Sequence, residues 1–560
     1  MTNFGLQIIK YKEKFLNKEF LINKALPIGS AVFFLITRLF FNFLLWRDRL
    51  ILPNPGDSLS YIRWIRLISE SKLFLVRGYT GYSFILGNLA KIFSLSSEEV
   101  FRLGFWVGII LITFVLWKLF KALKFGPIKT VLCFVLLSFY TGNGSFHGFY
   151  WVVPTFFCVA LFLYLFASII SQKINWYIVT IAAIFMPLMH GMGIFACSIF
   201  GFYLFFKLVF DFFQKKNIIL VLRNNTVLIR RIIVIILICV ISYVGTSILL
   251  KVVNKTSFQE NDEIMMSSDI FTDQRIFNGT MNNEKSIIAF DFLYLNKIAP
   301  HWIAWFFIFF ILFQYGKLEI ILIFIASFVF CVISSFVYYK GFRSLVFLWP
   351  ITYILVGSSF YYIWKFIKEK IFIKSVLKNI ILGVFVVVIV TFYIFNVIYS
   401  LWYIDIMNRN HNFSCNLRMF DNILENYDPE EANIYVDDDF LHSAFLSVAY
   451  EKEYDVHLLS DVSYINQIKV GDNKKIIIML SDDRIFRSLE RDSIWGKILK
   501  RVLSPMHSLE TSYGESGDKI WIYSISDKIK NFNIPAGSKY QKIIYQDDLF
   551  YIFELVDIIK

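Results

Sequence analysis

Four short clusters of polar residues interrupt a largely apolar sequence, and each holds side chains that could do acid–base or phosphate chemistry. They lie at 53–64 (PNPGDSLSYIRW), 138–151 (SFYTGNGSFHGFYW), 186–196 (MPLMHGMGIFA) and 335–350 (SFVYYKGFRSLVFLWP). An ionisable side chain next to an apolar run is costly if that run crosses a membrane. These residues are therefore the first candidates for function.

The first cluster places an acid directly after two prolines and a glycine. The carboxylate of Asp57 could accept a proton from an attacking hydroxyl or amide and so act as a general base. Aspartate is also favoured immediately before a helix, where it caps backbone N–H groups. The spacing alone favours the cap, and both interpretations stay open. Tyr61 and Arg63 follow in the same cluster as candidates for binding a substrate.

Each of the next two clusters contains one histidine. His147 lies between aromatic residues in a glycine-rich stretch, where it could contact a phosphate or a sugar, although the stretch also fits a plain turn. His190 lies where two short apolar segments meet, and it could donate to a phosphate or assist proton transfer. A structural histidine at the membrane interface is the alternative for this position.

The fourth cluster contains two cations, Lys340 and Arg343, on a short turn between apolar segments. Ammonium and guanidinium groups are natural partners of phosphate and diphosphate esters. The alternative is that both side chains extend from the ends of membrane spans towards water.

The elements that must position these residues are membrane spans. The chain has 560 residues, of which 57% are hydrophobic and 18% charged, with a mean hydropathy of +0.59. A soluble core cannot bury that much apolar surface. At about 20 residues per span, the sequence predicts an α-helical polytopic domain over 1–402 with about eleven spans. We place them near 25–46, 103–123, 128–145, 149–170, 175–189, 192–213, 230–252, 299–315, 318–337, 343–364 and 379–402.

The charge distribution predicts the orientation of the spans. The net charge is +13, and in a membrane protein this excess indicates topology rather than nucleic-acid binding. Basic residues gather in alternate connections, which puts the N-terminus in the cytoplasm and the C-terminus outside. The predicted outer loops are 47–102 and 253–298. Within the first, Ser58 to Phe74 has the period of an interfacial helix, with an apolar face formed by Tyr61, Trp64, Ile65 and Ile68.

The last part of the chain, 403–560, has the composition of a soluble α/β domain. Strands are predicted at 433–436, 474–480, 519–525 and 549–555, and helices at 440–450 and 484–502. The six cysteines form no CxxC pair, and five of them lie in apolar segments. The sequence contains no GxxxxGK[ST], HExxH or GxSxG pattern, which argues against an ATP motor, a zinc protease and a serine hydrolase.

This arrangement resembles the GT-C class of integral membrane glycosyltransferases. The class has many spans, a long first outer loop with an acid just after span one, interfacial helices in that loop and, in many members, an outer soluble domain. Asp57 in GDSLSY looks like that acidic position, with Tyr61 four residues on, although Ser58 stands where a second acid is frequent. Arg343 in YYKGFRSLVFLWP is similar to the late-loop basic residue of the class.

The resemblance implies an inverting transfer of sugar from a polyprenyl-phosphate donor to a glycan, lipid or protein acceptor of the cell envelope. Asp57 would act as base, and Arg343, Lys340 and His190 would hold the phosphate. No cofactor is assigned, and a need for a divalent cation stays open. The expected location is the inner (cytoplasmic) membrane, in contact with its lipids. An O-antigen-type polymerase or ligase is an alternative, as is a transporter or flippase of lipid-linked sugars.

Overall fold

A computed structural model of the chain describes most of its helices and a C-terminal sheet. The residues that it describes are 21–45, 61–62, 64–66, 68–70, 80–139, 142–143, 146–147, 154–257, 318–337, 344–370, 375–410, 417–436, 445, 454–458, 475–481, 538–546 and 550–557.

Helices account for most of the described residues. A π-helical turn, Leu21–Ala25, leads into the first of them. The α-helices are α1 (Leu26–Leu45), α2 (Thr80–Phe93), α3 (Ser97–Ala122), α4 (Pro127–Ser138), α5 (Pro154–Ile170), α6 (Trp176–Met189), α7 (Gly193–Lys215), α8 (Ile218–Ser257), α9 (Leu318–Val337), α10 (Leu345–Lys370), α11 (Ser375–Asn410) and α12 (Leu417–Asn426).

Within the described ranges, five helices are long and apolar enough to cross a membrane, judged by length and composition. They are α1, α3, α7, α8 and α10, and shorter apolar stretches occur in α4, α5, α6, α9 and α11. Apolar side chains on many of these helices face outward, as expected for helices that contact lipid. Together they indicate an integral membrane protein. The number of spans, about eleven by sequence, stays a prediction.

Local sequence signals explain where several helices begin and end. Ser96 caps α3 in a capping box, since its Oγ accepts from Glu99 N at 3.2 Å and Glu99 Oε2 accepts from Ser96 N at 2.9 Å. Pro127 occupies the start of α4, where its missing N–H costs nothing. The chain leaves α7 through Lys216 in the left-handed conformation, with φ of 52°.

Contacts between helices fix their relative directions. α1 and α4 run parallel, since Phe34 lies 5.8 Å from Phe134 and Phe41 lies 6.1 Å from Phe139, measured between ring centroids. α7 and α9 run antiparallel, since Phe195 at the start of α7 packs on Phe330 late in α9. At the other end of this pair, α7 is joined to the start of α9 by an ion pair.

These directions define two ends of the helical part. The first end contains the starts of α3, α5, α7 and α10. It also contains the ends of α1, α4, α6 and α9. The second end contains the ends of α3, α5, α7 and α10. It also contains the starts of α4, α6, α8, α9 and α11. A tyrosine of α11 that donates to the Leu132 carbonyl, at 2.7 Å, joins α11 to α4.

The described strands form two sheets. The small one is an antiparallel hairpin of β1 (Gly142–Asn143) and β2 (Phe146–His147). The other contains β3 (Ala432–Val436), β4 (Asp455–Leu458), β5 (Lys475–Ser481), β6 (Ser538–Gln546) and β7 (Phe550–Asp557), in the order β4-β3-β5-β7-β6. β3 pairs parallel with β4 and β5, whereas β7 pairs antiparallel with β5 and β6.

Both faces of the larger sheet are buried. One face contributes Ile434, Val436, Ile477 and Met479 to a core that includes Phe420 of α12. The opposite face of β5 and β7 forms a separate apolar cluster of Ile476, Ile478, Leu480, Tyr551, Phe553 and Leu555. The sheet is mixed, with a parallel part, β4-β3-β5, and an antiparallel part, β5-β7-β6, and the α/β domain over 403–560 stays a prediction.

The predicted elements that fall on described residues are found close to their expected places. The helices overlap the predicted spans, with three differences in their bounds. α3 begins at Ser97, inside the stretch predicted as outer loop, and α8 begins at Ile218, well before 230. The span predicted at 128–145 is too long, because α4 ends at Ser138 and the β1–β2 hairpin follows at 142–147. The predicted strands at 433–436, 474–480 and 549–555 are present. The span at 299–315, the strand at 519–525 and the helix at 484–502 lie outside the described residues. So does the helix at 440–450 apart from residue 445, which is helical.

Candidate functional site

The described residues of the 61–70 segment are helical up to Ser69, and they have the two faces that the sequence predicts. Tyr61, Ile65 and Ile68 are buried, while Arg66 is exposed. Arg66 Nε donates to a carboxylate oxygen of Glu70 at 3.0 Å, one turn away on the exposed face. The apolar face is thus packed against protein, and the charged face carries an ion pair.

An aromatic cluster holds the 61–70 segment against the helical part. The ring of Tyr61 lies 5.8 Å from that of Tyr82 in α2 and 6.3 Å from that of Phe101 in α3. Tyr82 also packs on Phe157 in α5, at 5.5 Å. Offset or edge-on aromatic pairs at these distances are favourable beyond the area they bury. Tyr61 is therefore fixed at the first end, beside the starts of α3 and α5.

Two glycines of α2 allow unusually close packing. A Cβ at Gly87 would lie 2.7 Å from the Cβ of Ile68, so α2 and the 61–70 segment are in backbone contact here. A Cβ at Gly81 would lie 3.0 Å from the carbonyl carbon of Leu188, near the end of α6. α2 therefore lies between the 61–70 segment and the turn that follows α6.

His190 forms that turn, between α6 and α7. It is half-buried and extended, with φ of −156°, and its Nδ1 accepts from the Met192 backbone N–H at 3.0 Å. Because Nδ1 is an acceptor, a neutral ring carries its proton on Nε2, which makes Nε2 a donor. The turn also requires a glycine, since a Cβ at Gly193 would lie 2.5 Å from the Met186 carbonyl oxygen.

The same end of the molecule includes the connection between α9 and α10. Ser344, directly before α10, is fully buried, and its Oγ lies 3.1 Å from Cys331 Sγ and 3.0 Å from Ser334 Oγ in α9. α9 in turn packs on the start of α7 through Phe330 and Phe195, whose ring centroids are 5.6 Å apart. The elements that flank the fourth polar cluster therefore lie at the end that carries His190.

The structure brings two of the predicted site residues, Tyr61 and His190, to contiguous elements at the first end. The main chain of His147 lies in β2, in a hairpin that follows α4 and precedes α5, also at this end. Asp57, Arg63, Lys340 and Arg343 lie outside the described residues, so their roles stay predictions.

Sequence reasoning did not single out Tyr82 or Phe101, which position Tyr61. The only sequence feature that could have identified them is an aromatic side chain near the start of a helix. In a phenylalanine-rich sequence this feature is too common to be informative. Arg38 is a charged residue within the apolar helix α1. It is fully buried, and its guanidinium donates to the Leu137 carbonyl in the last turn of α4, where backbone acceptors lack helical partners. Among the described residues, no group of three or more His, Cys, Asp or Glu side chains could hold a metal ion.

No protein-family model matches the sequence, nor does any curated protein. Solved structures with a similar chain path include the archaeal oligosaccharyltransferase AglB from Archaeoglobus fulgidus in complex with an inhibitory peptide and a dolichol-phosphate, with a TM-score of 0.47 and 11% identity over 82% of this chain and 69% of that one. The apo form of the Archaeoglobus fulgidus oligosaccharyltransferase has a TM-score of 0.46 and 12% identity over 84% and 70%.

ArnT from Cupriavidus metallidurans bound to undecaprenyl phosphate is similar over 94% of this chain and 98% of that one, with a TM-score of 0.47 and 10% identity. At such identities and TM-scores the likeness does not assign an activity to this chain. These structural neighbours are GT-C glycosyltransferases, the class that the sequence resembles.

Proposed function

We propose that this protein transfers a sugar from a polyprenyl-phosphate-linked donor to a glycan, lipid or protein acceptor, and that the reaction takes place at the first end of the helical part. The observation that carries the proposal is convergence. The helices and turns that flank all four polar clusters lie at this one end, although the clusters are up to about 280 residues apart in the sequence. An end where separate loops meet over a helical scaffold is a usual setting for a catalytic site.

The donor phosphate is the part of the substrate that the basic residues would bind. In the sequence, Lys340 and Arg343 fall between the end of α9 at Val337 and Ser344, and both of these described positions are at the first end. Guanidinium and ammonium groups there would stabilise the charge that develops on the leaving phosphate. His190 Nε2 is a further hydrogen-bond donor for this phosphate in the proposed site. Arg63 and His147 are the other residues proposed to bind it.

Asp57 would provide the base. In the sequence it comes four residues before Tyr61, which is buried at the first end. In the proposed reaction the acceptor hydroxyl loses its proton to the Asp57 carboxylate as its oxygen bonds to the anomeric carbon. The bond from that carbon to the phosphate oxygen breaks, and the lipid phosphate leaves with the electron pair, so the anomeric centre is inverted.

The arrangement of charge supports a cytoplasmic second end. Described basic residues at or near this end are Lys118, Lys121, Lys124, Lys129, Lys173, Lys207, Lys215, Lys216, Arg223, Arg230, Arg231, Lys365, Lys368, Lys370 and Lys378. Positive residues mark cytoplasmic ends of spans. The first end would then face outward from the inner membrane, with a cytoplasmic N-terminus. Because α11 runs from the second end to the first, the proposed soluble domain, 403–560, would follow the membrane domain, 1–402, on the outer side.

The test is the glycan profile of cells whose single copy carries Asp57→Asn, with the membrane level of the protein measured by immunoblot. We expect a surface glycan shortened by one sugar and accumulation of a lipid-linked sugar. Glu70→Gln is the matched control, because Glu70 belongs to the same stretch and is exposed. Unchanged glycans at normal protein level would contradict the base role and favour the interpretation of Asp57 as a helix cap.

A further inference from the structure

At the second end, α7 and α8 form a hairpin that continues past the helix beside it. The end of that neighbour, α5, is marked by Arg231 of α8, whose guanidinium donates to the carbonyls of Ile169, Ser171 and Gln172 at 2.5–3.2 Å. The part of α8 that precedes Arg231 is about 20 Å long. Residues 211–230, which comprise the end of α7 and this part of α8, are the α7–α8 extension.

Hydrogen bonds within the α7–α8 extension hold its two helices and their connecting turn together. Asn225 Nδ2 donates to a carboxylate oxygen of Asp211 at 2.8 Å, and both residues are buried. The chain turns at Lys216, which has the left-handed conformation. Asn217 then caps α8, since its side-chain oxygen accepts from the Leu220 N–H at 3.1 Å. The extension therefore presents a defined set of outward side chains.

Large apolar side chains cover much of the outside of the extension. Those between 43% and 75% exposed are Phe212, Phe213, Ile218, Ile219, Leu220, Leu222 and Val227. In a soluble protein a contiguous exposed apolar patch usually marks a binding surface. Here it requires contact with lipid or with a partner, because water is an unfavourable neighbour for all of these side chains.

The exposed charges of the extension are all positive. They are carried by Lys215, Lys216, Arg223 and Arg230. None of these four cations forms an ion pair with a described residue. The one acid of the extension, Asp211, is buried and is satisfied by Lys207 at 3.4 Å and by Asn225. The surface is therefore complementary to an anionic surface and has no exposed acid that would repel one.

The extension reaches the head-group layer of the leaflet at the second end. α5 has 17 residues and spans about 26 Å, so a hydrocarbon layer of about 30 Å continues past its end. The polar head groups occupy roughly the next 5–8 Å. Arg223 lies about 12 Å along α8 from Arg231, which places it at the level of the head groups. Phe213 lies at a similar level, because the hydrogen bond between α7 and α8 joins the two helices there.

We propose that the α7–α8 extension binds the head groups of anionic phospholipids in the leaflet at the second end. Lys215, Lys216 and Arg223 would contact the lipid phosphates, while Phe213 and Ile219 would lie among the head groups and upper acyl chains. A zwitterionic leaflet would cover the apolar side chains equally well, but it would leave the cations without a net opposite charge. The surface lies at the end opposite the proposed transfer site, so this proposal is independent of the proposed function.

The experiment places a fluorophore on the extension in the full-length protein. Gln214→Cys, at an exposed position, is labelled with an environment-sensitive dye in a Cys415→Ser background, since the other five cysteines are buried. The protein is placed in nanodiscs of phosphatidylcholine, alone or mixed with phosphatidylglycerol, that contain a lipid with a nitroxide on its head group. We expect the nitroxide to quench the dye and phosphatidylglycerol to increase that quenching roughly twofold.

Charge variants test which cations are responsible for the increase. Lys216→Gln/Arg223→Gln should remove most of the increase in quenching that phosphatidylglycerol causes. The matched control, Lys124→Gln/Lys173→Gln, removes the same charge from exposed positions elsewhere at the second end and should retain the increase. Size-exclusion chromatography checks that both variants are folded.

Several results would overturn the proposal. No quenching in either lipid mixture would put the extension in water, where a protein partner or a second copy would have to cover it. Equal quenching with and without phosphatidylglycerol would show that the cations do not select anionic lipid. An equal loss in both charge variants would attribute the selection to net charge rather than to this surface. Loss of the increase in inorganic phosphate, but not in sodium chloride of the same ionic strength, would indicate a site for free phosphate instead.

Discussion

At the second end of the helical part charged side chains pair with one another, whereas at the first end the described contacts are mainly aromatic. Lys207 Nζ lies 3.4 Å from a carboxylate oxygen of Asp211 and 3.4 Å from one of Glu319. Asn225 Nδ2 donates to Asp211 at 2.8 Å, and the buried hydroxyl of Tyr203 donates to Glu319. One cation and two neutral donors therefore satisfy two carboxylates and join α7, α8 and α9.

The second end also holds a lysine among aromatic rings. Lys129 is only 7% exposed, and its Nζ donates to the Tyr362 hydroxyl at 3.1 Å. The same Nζ lies 4.8, 5.4 and 5.2 Å from the ring centroids of Tyr362, Tyr361 and Phe125. Cation–π contacts of this kind offset the cost of burying the ammonium group.

This difference between the two ends suggests which charged residues stabilise the fold and which are candidates for function. Lys207 and Lys129 at the second end have partners within the protein, and these contacts join helices to one another. At the first end the described side chains form an aromatic cluster around Tyr61, and the proposed acid and cations belong to sequence segments that adjoin described elements of this end. A charge is therefore expected to affect stability at the second end and transfer at the first.

The largest effect on transfer among the described residues is expected for His190→Asn. The Asn side-chain oxygen can accept from the N–H two residues on, as Nδ1 of the histidine does, so the turn should persist. The Nε2 donor is lost, and transfer per molecule of membrane protein should fall roughly a hundredfold. Glycan output normalised to immunoblot measures it, and normal output would show that His190 is structural only.

At the second end the largest effect on stability is expected for Lys207→Met. Removing the shared cation leaves Asp211 and Glu319 facing each other, and the free energy of unfolding should fall by about 2 kcal/mol. The expected loss in free energy of unfolding is smaller than for a fully buried ion pair, because the Glu319 side chain is 37% exposed. Thermal unfolding in detergent provides the measurement. Lys215→Met, at an exposed site in α7, should change stability by less than about 0.5 kcal/mol, and an equal loss in both would refute the network.

A smaller loss, of about 1–2 kcal/mol, is expected for Gly87→Ala. The new methyl group would lie 2.7 Å from Ile68 and force the 61–70 segment away from α2. Gly201→Ala is the control, because nothing lies within 4 Å of a Cβ there and alanine favours the helix. The two melting temperatures should therefore move in opposite directions. A stable Gly87→Ala would show that the packing of this segment adapts.

The smallest effect is expected in the C-terminal sheet. Tyr427 Oη donates to Glu554 at 2.7 Å, and burial, together with this carboxylate, raises the pKa of Tyr427. Since the folded pKa exceeds the unfolded value near 10, the stabilisation is complete below about pH 10 and is lost as pH rises through the folded pKa. Tyr427→Phe should cost about 1 kcal/mol at pH 8. The difference between variant and parent in chemical unfolding should shrink above pH 10, and a constant difference would contradict the raised pKa.

The positions of the apolar helices could be predicted from sequence because hydropathy over a span is a local property. The helix α2 was not predicted, because Gly81 and Gly87 make this stretch a poor membrane span and it was assigned to the outer loop. The folded structure explains why each position is a glycine. Leu188 lies too close to Gly81, and Ile68 too close to Gly87, for a side chain at either position. The strands β4 and β6 were also missed, since both are sheet edges with exposed polar residues and lack the apolar run of β5.

The candidate site was predictable by residue type but not by arrangement. Tyr61 and His190 stand out in the sequence, yet their common location depends on α2 packing against both the 61–70 segment and the end of α6. The contact between Gly81 and Leu188 joins residues about 100 positions apart in the sequence, and no local pattern encodes it. The role of Arg38 as a partner of the α4 terminus likewise depends on the parallel pairing of α1 with α4.

The most direct test of the contrast between the two ends is the glycan output of Arg343→Gln beside that of Lys129→Gln, each divided by the amount of protein in the membrane. Each substitution removes one cation, the first from the sequence segment between α9 and α10 and the second from the aromatic surroundings at the second end. We predict that Arg343→Gln shortens the glycan at normal protein level, whereas Lys129→Gln lowers the protein level and leaves the output per molecule unchanged. Normal output per molecule from Arg343→Gln, or an equal loss from both variants, would contradict the assignment of transfer to the first end.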